Sequence, residues 1–114
     1  NTVAIKPEHM ARIQEGFKAV LSYGTGVGYI DLGYKPAGKT GTSQSFVDTD
    51  NDGKVDTETI STTFAAYAPY DDPRVAFTII SPDVSRNNDA FPHQSNINKR
   101  IADRVSKKYF EIYK

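Results

Sequence analysis

The chain has 114 residues, a formal net charge of zero and a hydrophobic fraction of 38%, which fits one small soluble globular domain and excludes disordered and strongly basic, nucleic-acid-binding classes. It has no cysteine, so disulfides and thiolate metal sites are excluded. No apolar run approaches a membrane span, and the start at Asn1, without an initiator Met, reads as one segment (1–114, with no internal boundary) of a longer protein.

A first helix is predicted from Lys6-Pro7-Glu8, with proline at its first position and an acid in its first turn. Met10, Ile13, Phe17, Val20 and Leu21 recur at helical spacing and form one apolar face, with Arg12, Glu15 and Lys18 opposite. Gly24-Thr25-Gly26-Val27-Gly28 closes that helix rather than opening another, so it reads as a turn with a close backbone approach. Three extended segments follow, over Ala37 to Phe46, Ser61 to Ala68 and Arg74 to Ser81. In the second, Phe64, Ala66 and Ala68 alternate with Ala65 and Tyr67. The third is apolar on both faces (Val75, Phe77 and Ile79; Ala76 and Ile80, with Thr78), the pattern of a central strand covered on two sides. Pro69-Tyr70-Asp71-Asp72-Pro73 reads as a hairpin turn and Asp83 to Gln94 as a polar loop. A last helix is predicted over Ser95 to Tyr113, with Ile97, Ile101, Val105 and Tyr109 spaced four apart. The expected class is α+β: three antiparallel strands with an N-terminal and a C-terminal helix packed on them.

The stretch Gly38-Lys39-Thr40-Gly41-Thr42-Ser43-Gln44 carries the chemistry. Read backwards, Gly33 to Thr40 satisfies the P-loop pattern, which requires a helix directly after the lysine and a backbone nest for phosphate. The residues that follow Lys39 are poor in helix formers, and Pro36 removes one N–H donor from the loop. Read forwards, Lys39-Thr40-Gly41 is the K-T-G triplet of penicillin-recognising serine enzymes, which belongs on an exposed strand.

With its neighbours, the triplet makes the chain resemble the C-terminal part of a penicillin-binding protein transpeptidase domain of the monofunctional, class B kind. The matching landmarks are Gly24-Thr25-Gly26, the Ala37 to Gln44 strand, Phe64-Ala65-Ala66-Tyr67-Ala68-Pro69, Asp72-Pro73-Arg74-Val75-Ala76 and a closing helix, in that order. The resemblance implies the penicillin-binding and serine β-lactamase-like fold. It also implies an active-site serine acylated by the D-Ala-D-Ala end of a peptidoglycan stem peptide, or by a β-lactam, on the outer face of the cytoplasmic membrane. No cofactor and no metal are implied. Lys39 would supply positive charge near the nucleophile and substrate carboxylate. Thr40 and Thr42, two apart on a strand, would offer hydroxyls to that carboxylate. Gly41 would permit close packing on the opposite face, and the Thr42 N–H would form half of an oxyanion hole.

One departure from the family pattern matters. No serine here has a lysine three residues later, so the S-x-x-K motif with the nucleophile is absent and the segment alone is expected to be inactive. Ser85-Arg86-Asn87 matches the second motif, S-x-N, but follows the K-T-G instead of preceding it and reads as chance. The alternatives are a β-lactamase or β-lactam sensor of the same fold, or a calcium-binding structural module. The last would use Asp48-Thr49-Asp50-Asn51-Asp52-Gly53-Lys54-Val55-Asp56, which has oxygen ligands at alternate positions and glycine sixth, but Thr59 in place of the final glutamate. A solvated hairpin tip is the simpler reading of that loop. His9 and His93 stand alone, without a second ligand at helical spacing.

Overall fold

A computed structural model describes residues 4–86 and 96–114. Helix α1 (Pro7–Ser22) leads through a 3-10 turn at Leu32–Tyr34 into strands β1 (Ala37–Val47), β2 (Thr57–Ala68) and β3 (Val75–Arg86), and helix α2 (Ile97–Ile112) follows. The strands form one antiparallel sheet in the order β1-β2-β3. This is the expected α+β arrangement.

Local chemistry accounts for the first half. Pro7 and Glu8 open α1, where a missing N–H costs nothing and an acid meets the positive end of the helix dipole. The helix closes through bonds from Tyr23 N and Gly24 N to Ala19 O and from Gly26 N to Val20 O. Gly26 is buried, and a β-carbon there would collide with the Leu21 side chain. The glycine is therefore what lets the turn fold back onto its helix.

The core lies between one sheet face and both helices. Phe64 and Ala102 are fully buried, Leu21 nearly so, and Ile30 and Ala66 complete the cluster. The Phe64 ring sits 4.6 Å from Tyr29 and 6.2 Å from Phe77. Burying such a ring stabilises by roughly 1.5–3 kcal/mol. Beyond the core, Tyr34 stacks on Phe110 at 4.5 Å, and the Tyr109 hydroxyl donates to the Arg74 carbonyl over 2.9 Å.

Four expectations are corrected. The third strand is an edge strand of this chain, with β2 in the centre, and Ile80 on its second face is 69% exposed; no described element covers that face. The strand also continues past Ser81, through a register irregularity opposite Ile60 and Thr62, to Arg86. There Asp83, at φ 49°, donates its N–H to Ser61 Oγ, so residues 82–84 form a bulge opposite Ser61 and not the start of a loop. The rest of that predicted loop, including Asn87 and His93, lies outside the described residues. In α2 the buried positions are Asn98, Ala102 and Ser106, while Ile97, Ile101 and Val105 remain exposed. Small side chains let the helix approach the sheet, and Ile97, Ile101 and Val105 lie to the side of that contact. On α1, Met10 and Ile13 are likewise exposed, and Leu21 is the one buried residue of the helix.

Candidate functional site

The K-T-G sequence runs along β1, an edge strand, so nothing among the described residues pairs with its outer side. That strand runs unbroken from Ala37 to Val47. No helix follows Lys39, and the P-loop reading is thereby overturned. Lys39 lies opposite Ala65, Thr40 opposite Phe64, Gly41 opposite Thr63 and Thr42 opposite Thr62. Directly opposed residues share a face. Thr40 and Thr42 therefore share the face that carries Phe64 and the helices, whereas Lys39 and Gly41 share the open face of Thr63 and Ala65.

Each side chain has a distinct setting. Lys39 is exposed, and its Nζ donates to the Thr40 carbonyl over 2.6 Å. Thr40 is half-buried, with its Oγ1 3.0 Å from Thr25 Oγ1. Thr42 is exposed. A β-carbon on Gly41 would run into the Thr63 hydroxyl. A cavity of about 410 Å³ opens beside Gly38 and Lys39, with Phe17 and Phe77 in its walls.

Behind Thr42 lies a buried polar link that sequence reasoning missed. Ser81 Oγ donates to Asn98 Oδ1 over 2.7 Å, and Asn98 Nδ2 donates to Thr62 Oγ1 over 3.1 Å. Asn98 is 2% exposed, so α2 is tied by its amide to both β2 and β3. The available signal was the spacing of Asn98, Ala102 and Ser106, a row of small and polar residues that keeps the helical period.

The far end of the β1–β2 hairpin is the Asp48–Asp56 segment, a hairpin tip as the simpler reading held. Its carboxylates fold back on its own backbone. Gly53 N donates to Asp48 Oδ2, Asp52 N to Asp50 Oδ1 and Lys54 N to Asp52 Oδ1. Thr49 gives both its N–H and its hydroxyl to Asp56. Hydrogen bonds from the Thr57 and Thr49 hydroxyls hold the Asp56 carboxyl below its usual range. Asp48, Asp50 and Asp56 bring one oxygen each to within 4.8 Å of one another, while Asp48 Oδ1 is shut off from solvent without a hydrogen-bond partner. Thr59, at the last ligand position of a calcium loop, instead donates its hydroxyl to Asp83. His9 is exposed on α1.

A K-T-G-T edge strand, backed by a helix that ends in Gly-Thr-Gly and by a closing helix, forms an α+β arrangement of the kind that the sequence resemblance implies. The family model of the penicillin binding protein transpeptidase domain matches residues 1–106, and the chain belongs to that family. It is similar to penicillin-binding protein 2A of Bacillus subtilis, 37% identical over 113 residues, covering 98% of this chain and 15% of that protein. It is also similar to penicillin-binding protein H of the same organism, 31% identical over 114 residues, covering all of this chain and 15% of that protein. The chain thus spans about 15% of the length of the curated relatives it matches. No solved structure matches significantly.

Proposed function

We propose that this chain is the C-terminal part of a peptidoglycan D,D-transpeptidase and forms the K-T-G wall of its active site. The observation that carries the reading is the placement of Lys39, Thr40, Gly41 and Thr42 on the free-edged strand β1, in a chain of the transpeptidase family. An unpaired edge can take up an extended peptide as an added strand, which suits a stem peptide ending in D-Ala-D-Ala. Thr40 and Thr42 donate hydroxyl protons to its terminal carboxylate, and the Lys39 ammonium adds positive charge at the same rim. The serine nucleophile comes from the remainder of the transpeptidase domain. Its oxygen bonds to the carbonyl carbon of the penultimate D-Ala, the peptide C–N bond breaks and the terminal D-Ala leaves as an amine. An amine from a neighbouring strand then attacks the ester, forms the cross-link and frees the serine. In that step the Thr42 N–H stabilises the oxyanion, a contribution of about 3 kcal/mol per donor. β-Lactams carry a comparable carboxylate and acylate the same serine.

Exposed apolar residues on the second sheet face and on α2 (Ile80, Ile97, Ile101 and Val105) support packing of that remainder against this chain. No described helix is long and apolar enough to cross a membrane; by family analogy the protein acts on the extracytoplasmic side, held by an anchor elsewhere in its sequence. The test is labelling by a fluorescent penicillin in the protein extended upstream of this chain. Lys39→Ala is expected to lower acylation by about 100-fold or more, the scale of a lost charge-stabilising group. Unchanged labelling would sink the reading. Rapid hydrolysis of the acyl-enzyme would instead indicate a β-lactamase of the same fold. A second reading, a calcium-binding structural module, draws on the convergence of Asp48, Asp50 and Asp56 around the unpartnered Asp48 oxygen. A melting temperature that rises with calcium would favour it, since a ligand bound only to the folded state stabilises that state.

A further inference from the structure

The Gly24-Thr25-Gly26 turn does more than end a helix. Thr25 is exposed, so its side chain contributes little to the core, yet its Oγ1 sits 3.0 Å from Thr40 Oγ1. Its backbone is held in place: Gly24 N bonds to Ala19 O, Gly26 N to Val20 O and Val27 N to Gly24 O. Buried Gly26 presses the turn against Leu21. A hydroxyl in a rigid turn at the end of α1 therefore meets the central residue of the K-T-G triplet.

Each hydroxyl has one proton and two acceptor positions. If Thr40 spends its proton on Thr25, it can only accept, and an anionic carboxylate beside it gains nothing. If Thr25 is the donor, the Thr40 proton is left for the ligand, and its oxygen, already accepting, is polarised towards stronger donation. A carboxylate thus selects one direction for the pair. We propose that Thr25 is a positioning residue for the carboxylate subsite: it donates to Thr40 Oγ1 and thereby turns the Thr40 proton towards the terminal carboxylate of a stem peptide or β-lactam. This inference rests on the K-T-G reading above. Thr25 acts on binding through Thr40 and does not touch the reacting bond.

The experiment is the concentration dependence of fluorescent penicillin acylation in the full-length protein, which separates the apparent dissociation constant from the limiting acylation rate. Thr25→Val is expected to weaken the dissociation constant by about 3- to 10-fold, the scale of one hydrogen bond, with the limiting rate within about twofold of wild type. Thr25→Ser, which keeps the hydroxyl, restores binding. In a Thr40→Val background, Thr25→Val has no further effect, because the residue it acts through is gone. Wild-type binding by Thr25→Val, additive losses in the double variant, or failure of Thr25→Ser to rescue would each overturn the proposal. Lys39→Ala and Thr42→Ala, measured alongside, distinguish the two levels. If both leave acylation intact, the K-T-G reading falls and takes this inference with it. If they impair acylation and Thr25→Val does not, only the role of Thr25 is lost.

Discussion

The two ends of the β1–β2 hairpin are built on opposite principles. At one end, Ala37 and Gly38 are buried, Thr40 pairs with the core residue Phe64, and the Thr25 turn closes over the strand. Its geometry is held by residues distant in the chain. At the other, Asp48, Asp50, Asp52 and Asp56 satisfy backbone groups within their own loop. A perturbation at the first end is expected to reach the K-T-G residues, whereas one at the second is expected to stay within a few residues.

The largest effect is expected from Phe64→Ala, which removes the core ring across the β1–β2 pairing from Thr40 and costs about 3–5 kcal/mol. Denaturant unfolding of the full-length protein measures the loss, and penicillin labelling should fall with it. A change below 1 kcal/mol would mean that the triplet end does not depend on this core. Next comes Asn98→Ala, which leaves the Ser81 and Thr62 hydroxyls without their amide partner and costs about 1–3 kcal/mol. It should lower the melting temperature without altering amide exchange in the Asp-rich tip.

Smaller and confined is the effect of acid on the tip. The Asp56 carboxyl titrates below its ordinary value in the folded state, so its contribution is present above the unfolded value and is lost as pH falls through the folded one. Amide exchange at Thr49, whose N–H donates to Asp56, should accelerate over that acidic window after correction for intrinsic rates. Asp56→Asn should remove the pH dependence and leave acylation untouched; a loss of acylation would join the two ends that the comparison separates. The smallest effect belongs to the exposed Lys35–Asp71 pair, 2.6 Å apart. The hydrogen bond between them raises the Lys35 pKa and lowers that of Asp71. Its small stabilisation is lost below the acidic carboxylate range and again above the ordinary lysine range, and salt screens it between. Asp71→Asn should shift the melting temperature less than either core substitution.

Much of this molecule was legible because it is local. Pro7-Glu8 opens a helix by geometry and charge, Gly24 and Gly26 end it, and the run of Gly and β-branched residues after Pro36 favours strand over the helix a P-loop demands. The Asp-rich tip followed from turn chemistry. Reading Ile97, Ile101 and Val105 as an apolar stripe was correct as a pattern, but the helix buries Asn98, Ala102 and Ser106 in this chain. Periodicity shows that a face exists, not which neighbour covers it. The two apolar faces of the third strand likewise suggested a central strand where this chain has an edge.

The sequence by itself determined the α+β class, the helix and turn signals and the position of the K-T-G on a strand, since these rest on backbone sterics and on side chains a few residues apart. Only the tertiary structure decided that Thr40 and Thr42 share the core face while Lys39 sits on the other. It alone placed Thr25 beside Thr40 and brought Asn98 beneath Thr62. Those outcomes depend on strand register and on helix–sheet packing between segments far apart in the chain, and no local pattern carries that information.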